Sequence, residues 1–69
     1  MNDSFVIANG ERVTAPLPST LAEFLRLQGF APGTVVVEHN GEAVSPSEFG
    51  TRALAAGDRL EIVRVVAGG

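Results

Sequence analysis

Two Asn-Gly dipeptides, Asn9-Gly10 and Asn40-Gly41, constrain this chain more than any other feature of it. Each separates two runs rich in β-forming residues: 4–8 (SFVIA) from 11–17 (ERVTAPL), and 34–39 (TVVVEH) from 42–44 (EAV). A two-residue type I′ turn needs positive φ at both central positions. Asparagine tolerates that conformation and glycine adopts it freely, so Asn-Gly between such runs predicts a β-hairpin. A two-residue loop also fixes the register: Ala8 opposes Glu11, Ile7 opposes Arg12, Val6 opposes Val13 and Phe5 opposes Thr14. Opposed residues share a face, and Val13, Ala15 and Leu17 alternate with Arg12 and Thr14. Val6 and Ala8 therefore face the core, while Phe5 and Ile7, the bulkiest residues of their strand, face away. Pro16 and Pro18 close the second strand, because proline cannot donate to a ladder.

The segment between the hairpins predicts a helix. Thr20-Leu21-Ala22-Glu23 reads as a capping box, with Thr20 as N-cap and Glu23 reaching back. Leu21, Phe24 and Leu25 form one apolar stripe, with Glu23 and Arg26 toward solvent. Gly29 ends the helix, and Phe30 suits the hydrophobic contact of a Schellman close. A helix of roughly two and a half turns is marginal alone, so it must lie on a sheet. In the second hairpin Val35 and Val37 point inward, and Val36 and Glu38 outward; His39 shares the inward parity at the strand's end. Ser45-Pro46-Ser47-Glu48-Phe49 predicts one capped helical turn that tucks Phe49 under the domain, and Leu54 anchors the loop beyond it. Ala56-Gly57-Asp58 turns into a last strand in which Leu60 and Ile62 alternate with Glu61 and Val63. Arg64 has inward parity but lies so near the exit that the sheet is expected to have ended there.

Hairpin, helix, hairpin, final strand is an α+β order. A mixed sheet of four to five strands with one helix across one face accounts for it, the last strand lying beside the first and parallel to it. That is a β-grasp, or ubiquitin-like, roll. The predicted domain spans residues 1–66, with Val6, Val13, Leu17, Leu21, Phe24, Leu25, Val35, Val37, Leu60 and Ile62 as its core. Residues 67–69, Ala-Gly-Gly, are expected to form a flexible tail.

Composition removes several functional classes. The chain has 69 residues and no cysteine, hence no disulfide and no thiolate metal site. Its single histidine precludes an all-imidazole site. A net charge of −3 opposes nucleic-acid binding, and with five arginines as its only basic residues besides His39 it has no polybasic membrane anchor. No apolar run approaches a membrane span, and Met1-Asn2-Asp3-Ser4 is no signal peptide. The expectation is a cytoplasmic protein, monomeric alone, with no bound cofactor or metal. Ser4, Ser19, Ser45 and Ser47 sit where strands, caps and turns use serine anyway. His39 reads as a surface turn residue, and Glu38 and Glu42 as a solvated edge rather than an acid–base pair.

Two features survive that search. One is the sheet face away from the helix, where Phe5 and Ile7 would lie beside Val63 and Val65 and form one partner-binding patch. The other is the stretch Val66-Ala67-Gly68-Gly69. A diglycine ending puts an α-carboxylate on a thin stalk without Cβ atoms, able to enter a slot too narrow for side chains. An acyl group activated at Gly69 is open to attack from either face and has no α-stereocentre to lose. The body needs no catalytic side chain to present such a group.

The run Asn40-Gly41-Glu42-Ala43-Val44-Ser45-Pro46-Ser47-Glu48-Phe49, then Leu54 and Gly57-Asp58-Arg59-Leu60-Glu61-Ile62-Val63, then Val66-Ala67-Gly68-Gly69, resembles the thiamine-pathway sulfur carrier family, ThiS. Asn9-Gly10-Glu11 and Thr20-Leu21-Ala22-Glu23-Phe24-Leu25 match that family too, so the resemblance covers essentially the whole chain. Phe49 stands where the family often has tryptophan, and Ala8 where larger aliphatics are common. The resemblance implies a β-grasp carrier that is not itself an enzyme. It implies adenylation of Gly69 by a ThiF-like activating enzyme that uses ATP and Mg. It further implies displacement of AMP by sulfur from a cysteine desulfurase or other persulfide donor, and delivery of the thiocarboxylate sulfur to a ThiG-like thiazole synthase. Alternatives are a related carrier for molybdopterin or tRNA thiolation, a ubiquitin-like protein modifier, and an interaction domain whose tail has no chemistry. The absence of lysine disfavours a modifier that polymerises on itself.

Overall fold

In the computed structural model, which describes residues 4–65, both Asn-Gly turns close hairpins. β1 (Phe5–Ala8) pairs with β2 (Glu11–Thr14) in the register set by the two-residue loop, from Phe5 opposite Thr14 to Ala8 opposite Glu11. Asn9 and Gly10 turn the chain at φ 51° and 81°. After the prolines, β3 (Ser19–Thr20) forms a two-residue strand and runs directly into α1 (Leu21–Leu27). β4 (Val35–His39) and β5 (Glu42–Val44) make the second hairpin, with His39 opposite Glu42. Then follow a 3-10 turn at Pro46–Glu48, β6 (Ala53–Leu54) and β7 (Arg59–Arg64).

The strand order in the main sheet is β2-β1-β7-β4-β5. β7 is parallel to β1 and antiparallel to β4, as the β-grasp reading requires. Apart from the parallel pair, every neighbour is reached through an antiparallel ladder; the helix carries the chain from β2 across to β4, and β7 then fills the gap between β1 and β4. A second, two-stranded sheet pairs β3 with β6. Nothing in the sequence announces that pairing, because Pro16 and Pro18 end one ladder without showing that another begins at the next residue, Ser19.

Helix α1 is bounded largely as its sequence dictates. Thr20 Oγ1 accepts from the N–H of Glu23 at 3.1 Å. The expected return contact is not made: the Glu23 carboxylate instead takes the Arg26 guanidinium at 3.3 Å, one turn along the exposed face. The first two helical N–H groups donate to the carbonyls of Arg52 and Phe49, at 2.8 and 2.9 Å. The loop before β6 therefore caps the first two helical N–H groups. At the far end Phe30 N–H reaches the Leu25 carbonyl and Gly29 N–H reaches the Arg26 carbonyl, at 2.8 and 3.0 Å. With Gly29 at φ 86° this is a Schellman close.

The core lies between α1 and the inner face of the sheet. Val6, Leu21, Phe24, Leu25, Val35, Val37, Leu60 and Ile62 are buried, joined by Ala15, Val44, Phe49 and Leu54. Val13 and Leu17, also expected in the core, are only half-buried and pack against its rim. For Val13 the cause is topological, since β2 is an edge strand and its inner residues are flanked on one side only; Leu17 lies past the end of that strand, between Pro16 and Pro18. Phe49 is fully enclosed and fills its site as the smaller aromatic, while Ala8 is half-buried at the core's margin.

Candidate functional site

β7 leads to the residues on which the carrier chemistry was expected, and it is the central strand of the sheet. On one side it pairs with β4 from His39 opposite Leu60 to Val35 opposite Arg64. Backbone bonds extend that ladder at both ends, Asn40 N–H to the Arg59 carbonyl and Val65 N–H to the Thr34 carbonyl, at 2.8 and 2.7 Å. The sheet thus continues through Arg64, contrary to the expectation that it ends earlier. Arg64 keeps its inward parity without entering the core: its guanidinium lies 5.3 Å from the centre of the Phe30 ring. A long side chain can shield an aromatic edge while its charge stays in water. Val66, Ala67, Gly68 and Gly69, and with them the expected boundary of the tail, lie outside the described residues.

Both turn asparagines grip β7 with their side chains. Asn40 Oδ1 accepts from Arg59 N–H at 2.8 Å, at the start of the strand. Asn9 accepts from Ile62 N–H at 2.7 Å and donates to the Ile62 carbonyl at 3.0 Å. Asn-Gly announces a turn in any sequence. Only the fold shows that these amides complete a strand 53 residues away in the case of Asn9.

The expected partner-binding patch is rearranged. Phe5, Ile7, Val63 and Val65 do belong to strands that are neighbours, but the parallel register sets Ile7 beside Arg59 and Ala8 beside Leu60. Val63 lies four residues further along β7, roughly 13 Å at about 3.3 Å per residue, past the end of β1. The four residues therefore form two groups rather than one. Phe5 and Ile7 are half-buried, with the Arg12 guanidinium 3.9 Å from the Phe5 ring centre. At the other end, Val63 opposes Val36 of β4. Val36, Val63 and Val65 are 54, 60 and 47 % exposed, an apolar group where the chain leaves the sheet. Val36 was expected to point outward but not to join the patch, because parity gives a residue's face and not its level along the sheet.

His39 is not a surface turn residue. It is 6 % exposed and sits at the centre of a polar cluster. Its Nδ1 accepts from Arg52 Nε–H at 2.9 Å, since that group can only donate, and its Nε2–H donates to Asp58 Oδ2 at 2.6 Å. Arg52 also pairs with Glu42, the residue opposite His39. Asp58 further accepts from Ala55 N–H at 2.9 Å and from the Asn40 amide at 3.3 Å. With both ring nitrogens occupied, the imidazole has no lone pair to offer a nucleophile. Its work is structural: it ties the second hairpin to the turn before β7. Glu38 opposes Ala43, so the Glu38 and Glu42 carboxylates do not face each other. Among the described residues no group of three His, Asp or Glu side chains is placed to hold a metal ion.

Electrostatics in this cluster follow from the contacts. The Arg52 hydrogen bond and charge hold the Glu42 carboxyl below the usual carboxylate range, and Glu42 raises Arg52 in return. Burial pushes the Asp58 carboxyl up, but hydrogen bonds from Ala55, His39 and Asn40 outweigh it and hold the group low. A carboxyl depressed on folding contributes stability above its unfolded value, near pH 4, and loses it as pH falls through the folded value. Asp58→Ala should remove that acid dependence and leave the buried His39 N–H without a partner. We expect a loss of about 1–3 kcal/mol at pH 7, shrinking toward pH 3, checked by urea unfolding at both pH values.

Fold and sequence together define a class: a ubiquitin-like β-grasp domain whose central strand is followed in the sequence by a diglycine. Comparison with known proteins narrows it. The sequence model of the ThiS family matches residues 2–69, and the chain belongs to that family, whose members are small sulfur carriers rather than enzymes. The crystal structure of the thiamine biosynthesis protein ThiS from Geobacter metallireducens superposes with a TM-score of 0.77 at 26 % identity, covering 94 % of this chain and 99 % of that one. The solution structure of a thiamine biosynthesis protein from the same organism gives 0.76 at 26 % identity, covering 94 % of this chain and 87 % of the other. A thiazole synthase of Magnetococcus marinus is 39 % identical over 61 residues. Those residues are 88 % of this chain but only 19 % of that protein, so the chain spans about a fifth of that relative's length. No described helix is long and apolar enough to cross a membrane.

Proposed function

We propose that this chain carries sulfur for thiazole formation as a thiocarboxylate at Gly69. A ThiF-like enzyme adenylates the Gly69 carboxylate with ATP and Mg. Sulfur from a cysteine desulfurase or another persulfide donor displaces AMP, and a ThiG-like thiazole synthase accepts it. The observation that carries the proposal is membership of the ThiS family over residues 2–69, which takes in the diglycine. A carboxylate is a poor electrophile because oxide would have to leave; the adenylate replaces oxide by AMP. The thiocarboxylate then stays covalently held, so free sulfide need not be released. The match to part of a thiazole synthase supports that enzyme as the acceptor over molybdopterin or tRNA thiolation.

In this reading the partners dock on the face around Val63 and Val65, with Val36 added; Phe5 and Ile7 provide a separate contact nearer the start of β7. Ordering four residues beyond Val65 in a partner costs roughly 4–8 kcal/mol of backbone entropy. Covering three valines that are each about half exposed returns roughly 2–4 kcal/mol. The patch offsets part of that cost, and contacts along residues 66–69 must supply the rest. Val63→Asp should leave the melting temperature within about 2 °C of wild type, since the side chain touches solvent, not core. Binding to the activating enzyme should weaken at least roughly tenfold, because a partner surface would then cover an uncompensated carboxylate. Titration by calorimetry checks both partners; unchanged affinity would move the docking surface elsewhere. Isopeptide-linked adducts on partner lysines in the same mixtures would favour the modifier reading instead.

A further inference from the structure

We propose that Asn9 is a positioning residue for the carrier tail: its side-chain amide takes the place of a neighbouring strand's peptide group and fixes the line along which β7 leaves the sheet. The proposal rests on the carrier reading above, and its observations lie in the ladder around β7.

β1 ends at Ala8, and its parallel pairing reaches only to Leu60. β7 continues to Arg64. On the β4 side the strand is held throughout, with the backbone groups of Arg59 and Val65 bonded to Asn40 and Thr34. Alternation then turns the N–H and C=O of Leu60, Ile62 and Arg64 toward the β1 side. There Asn9 N–H takes the Leu60 carbonyl at 2.8 Å, after which the backbone turns away into β2. The side chain supplies the next rung in full, accepting from Ile62 N–H at 2.7 Å and donating to its carbonyl at 3.0 Å. Among the described residues nothing bonds the main chain of Arg64 on that side. Ile62 is therefore the last point at which β7 is gripped on both edges.

The chemistry of position 9 is narrow. A side-chain amide is needed to donate and accept side by side, which a carboxylate or a hydroxyl cannot do for a peptide unit in the same way. The residue must also hold φ at 51°, a conformation asparagine tolerates. Asn40 meets the same turn requirement, but its amide N–H goes to Asp58 and its oxygen to Arg59, at the opposite end of the strand. Losing the Asn9 rung frees one edge of β7 two residues earlier and widens the range of directions available beyond Val65. A small error at the root of a reacting group is enough to reduce the fraction of productive encounters.

Asn9→Gly keeps the turn and removes the amide. In the full-length variant, NMR amide exchange at Ile62 should speed up roughly tenfold relative to the amides bonded to β4. Sulfur loading by the activating enzyme with ATP and persulfide should show kcat lowered several-fold, about fivefold, with KM for the carrier unchanged, since the docking valines are untouched. Asn9→Asp, as a second variant, keeps the turn and an acceptor for Ile62 N–H but opposes the Ile62 carbonyl with a carboxylate. It should lower kcat while Ile62 N–H stays protected. Wild-type kcat in both folded variants, or an unchanged exchange ratio at Ile62 in Asn9→Gly, overturns the proposal. Failure of the wild-type chain to take up sulfur would overturn the carrier reading instead, and the exchange ratio would still decide whether Asn9 fixes β7.

Discussion

Phe24→Ala should cost about 3–5 kcal/mol, the usual range for removing a fully enclosed phenylalanine side chain. Phe24 has no exposed surface and lies on helix α1, which covers the sheet, between Leu21 and Leu25 of the same stripe. At roughly 0.05–0.15 kcal/mol per residue, a chain of this length has only about 3–10 kcal/mol to lose. The variant is expected to be largely unfolded at 37 °C or to melt far below wild type, as read by circular dichroism and urea titration. Leu27→Ala is the matched control. It removes an apolar side chain from the same helix, but one that is 57 % exposed, and should cost less than about 0.5 kcal/mol. Equal losses in the two variants would mean that helix α1 is held by something other than its buried stripe.

Removal of Gly69 should have the opposite signature, with stability intact and function lost. The last backbone contact described along the chain is Val65 N–H on the Thr34 carbonyl, four residues before Gly69. If the activated group is the Gly69 carboxylate, the truncated chain presents Gly68 one residue short of the reacting centre. Loading with sulfur should then fall below detection, at least roughly a hundredfold, because the acyl group no longer reaches the nucleotide. Calorimetric melting of the truncated chain should match wild type. Normal loading of the shortened chain would place the chemistry elsewhere.

Local elements were legible in this sequence wherever a short-range rule applies. The Asn-Gly turns set both hairpin registers, because a two-residue loop leaves one pairing. The alternation of Val35, Val37, Leu60 and Ile62 gave the inner face, and Gly29 with Phe30 gave the helix end. What escaped was set by contacts between segments distant in sequence. The parallel register of β1 on β7 depends on the turn at Gly57 and Asp58, where Gly57 N–H takes the Phe5 carbonyl and Ile7 N–H takes the Asp58 carbonyl, both at 2.8 Å. No parity rule contains that offset, and it separates Phe5 and Ile7 from Val63 and Val65. His39 escaped for the same reason. Its parity was inward, but its acceptor and donor, Asp58 and Arg52, lie 19 and 13 residues away. One available signal was that an inward histidine next to a turn needs partners for both nitrogens.

In the proposed function the labour is divided between a body that holds one strand firmly and a terminus that carries the group. The polar cluster around His39 fixes the start of β7, the ladders to β1 and β4 fix its middle, and Asn9 fixes Ile62. Each of these contacts acts on the strand that leads to Gly69, and none of them requires a reactive side chain.

The central claim is that sulfur is carried at the Gly69 carboxylate. Its most direct test is intact and C-terminal peptide mass spectrometry of the chain after incubation with the activating enzyme, ATP and a persulfide donor. The expected result is one oxygen replaced by one sulfur, located on the peptide that ends in Gly69 and removed again when thiazole synthase and its substrates are added. An unchanged mass, or sulfur found on any other peptide, would contradict it.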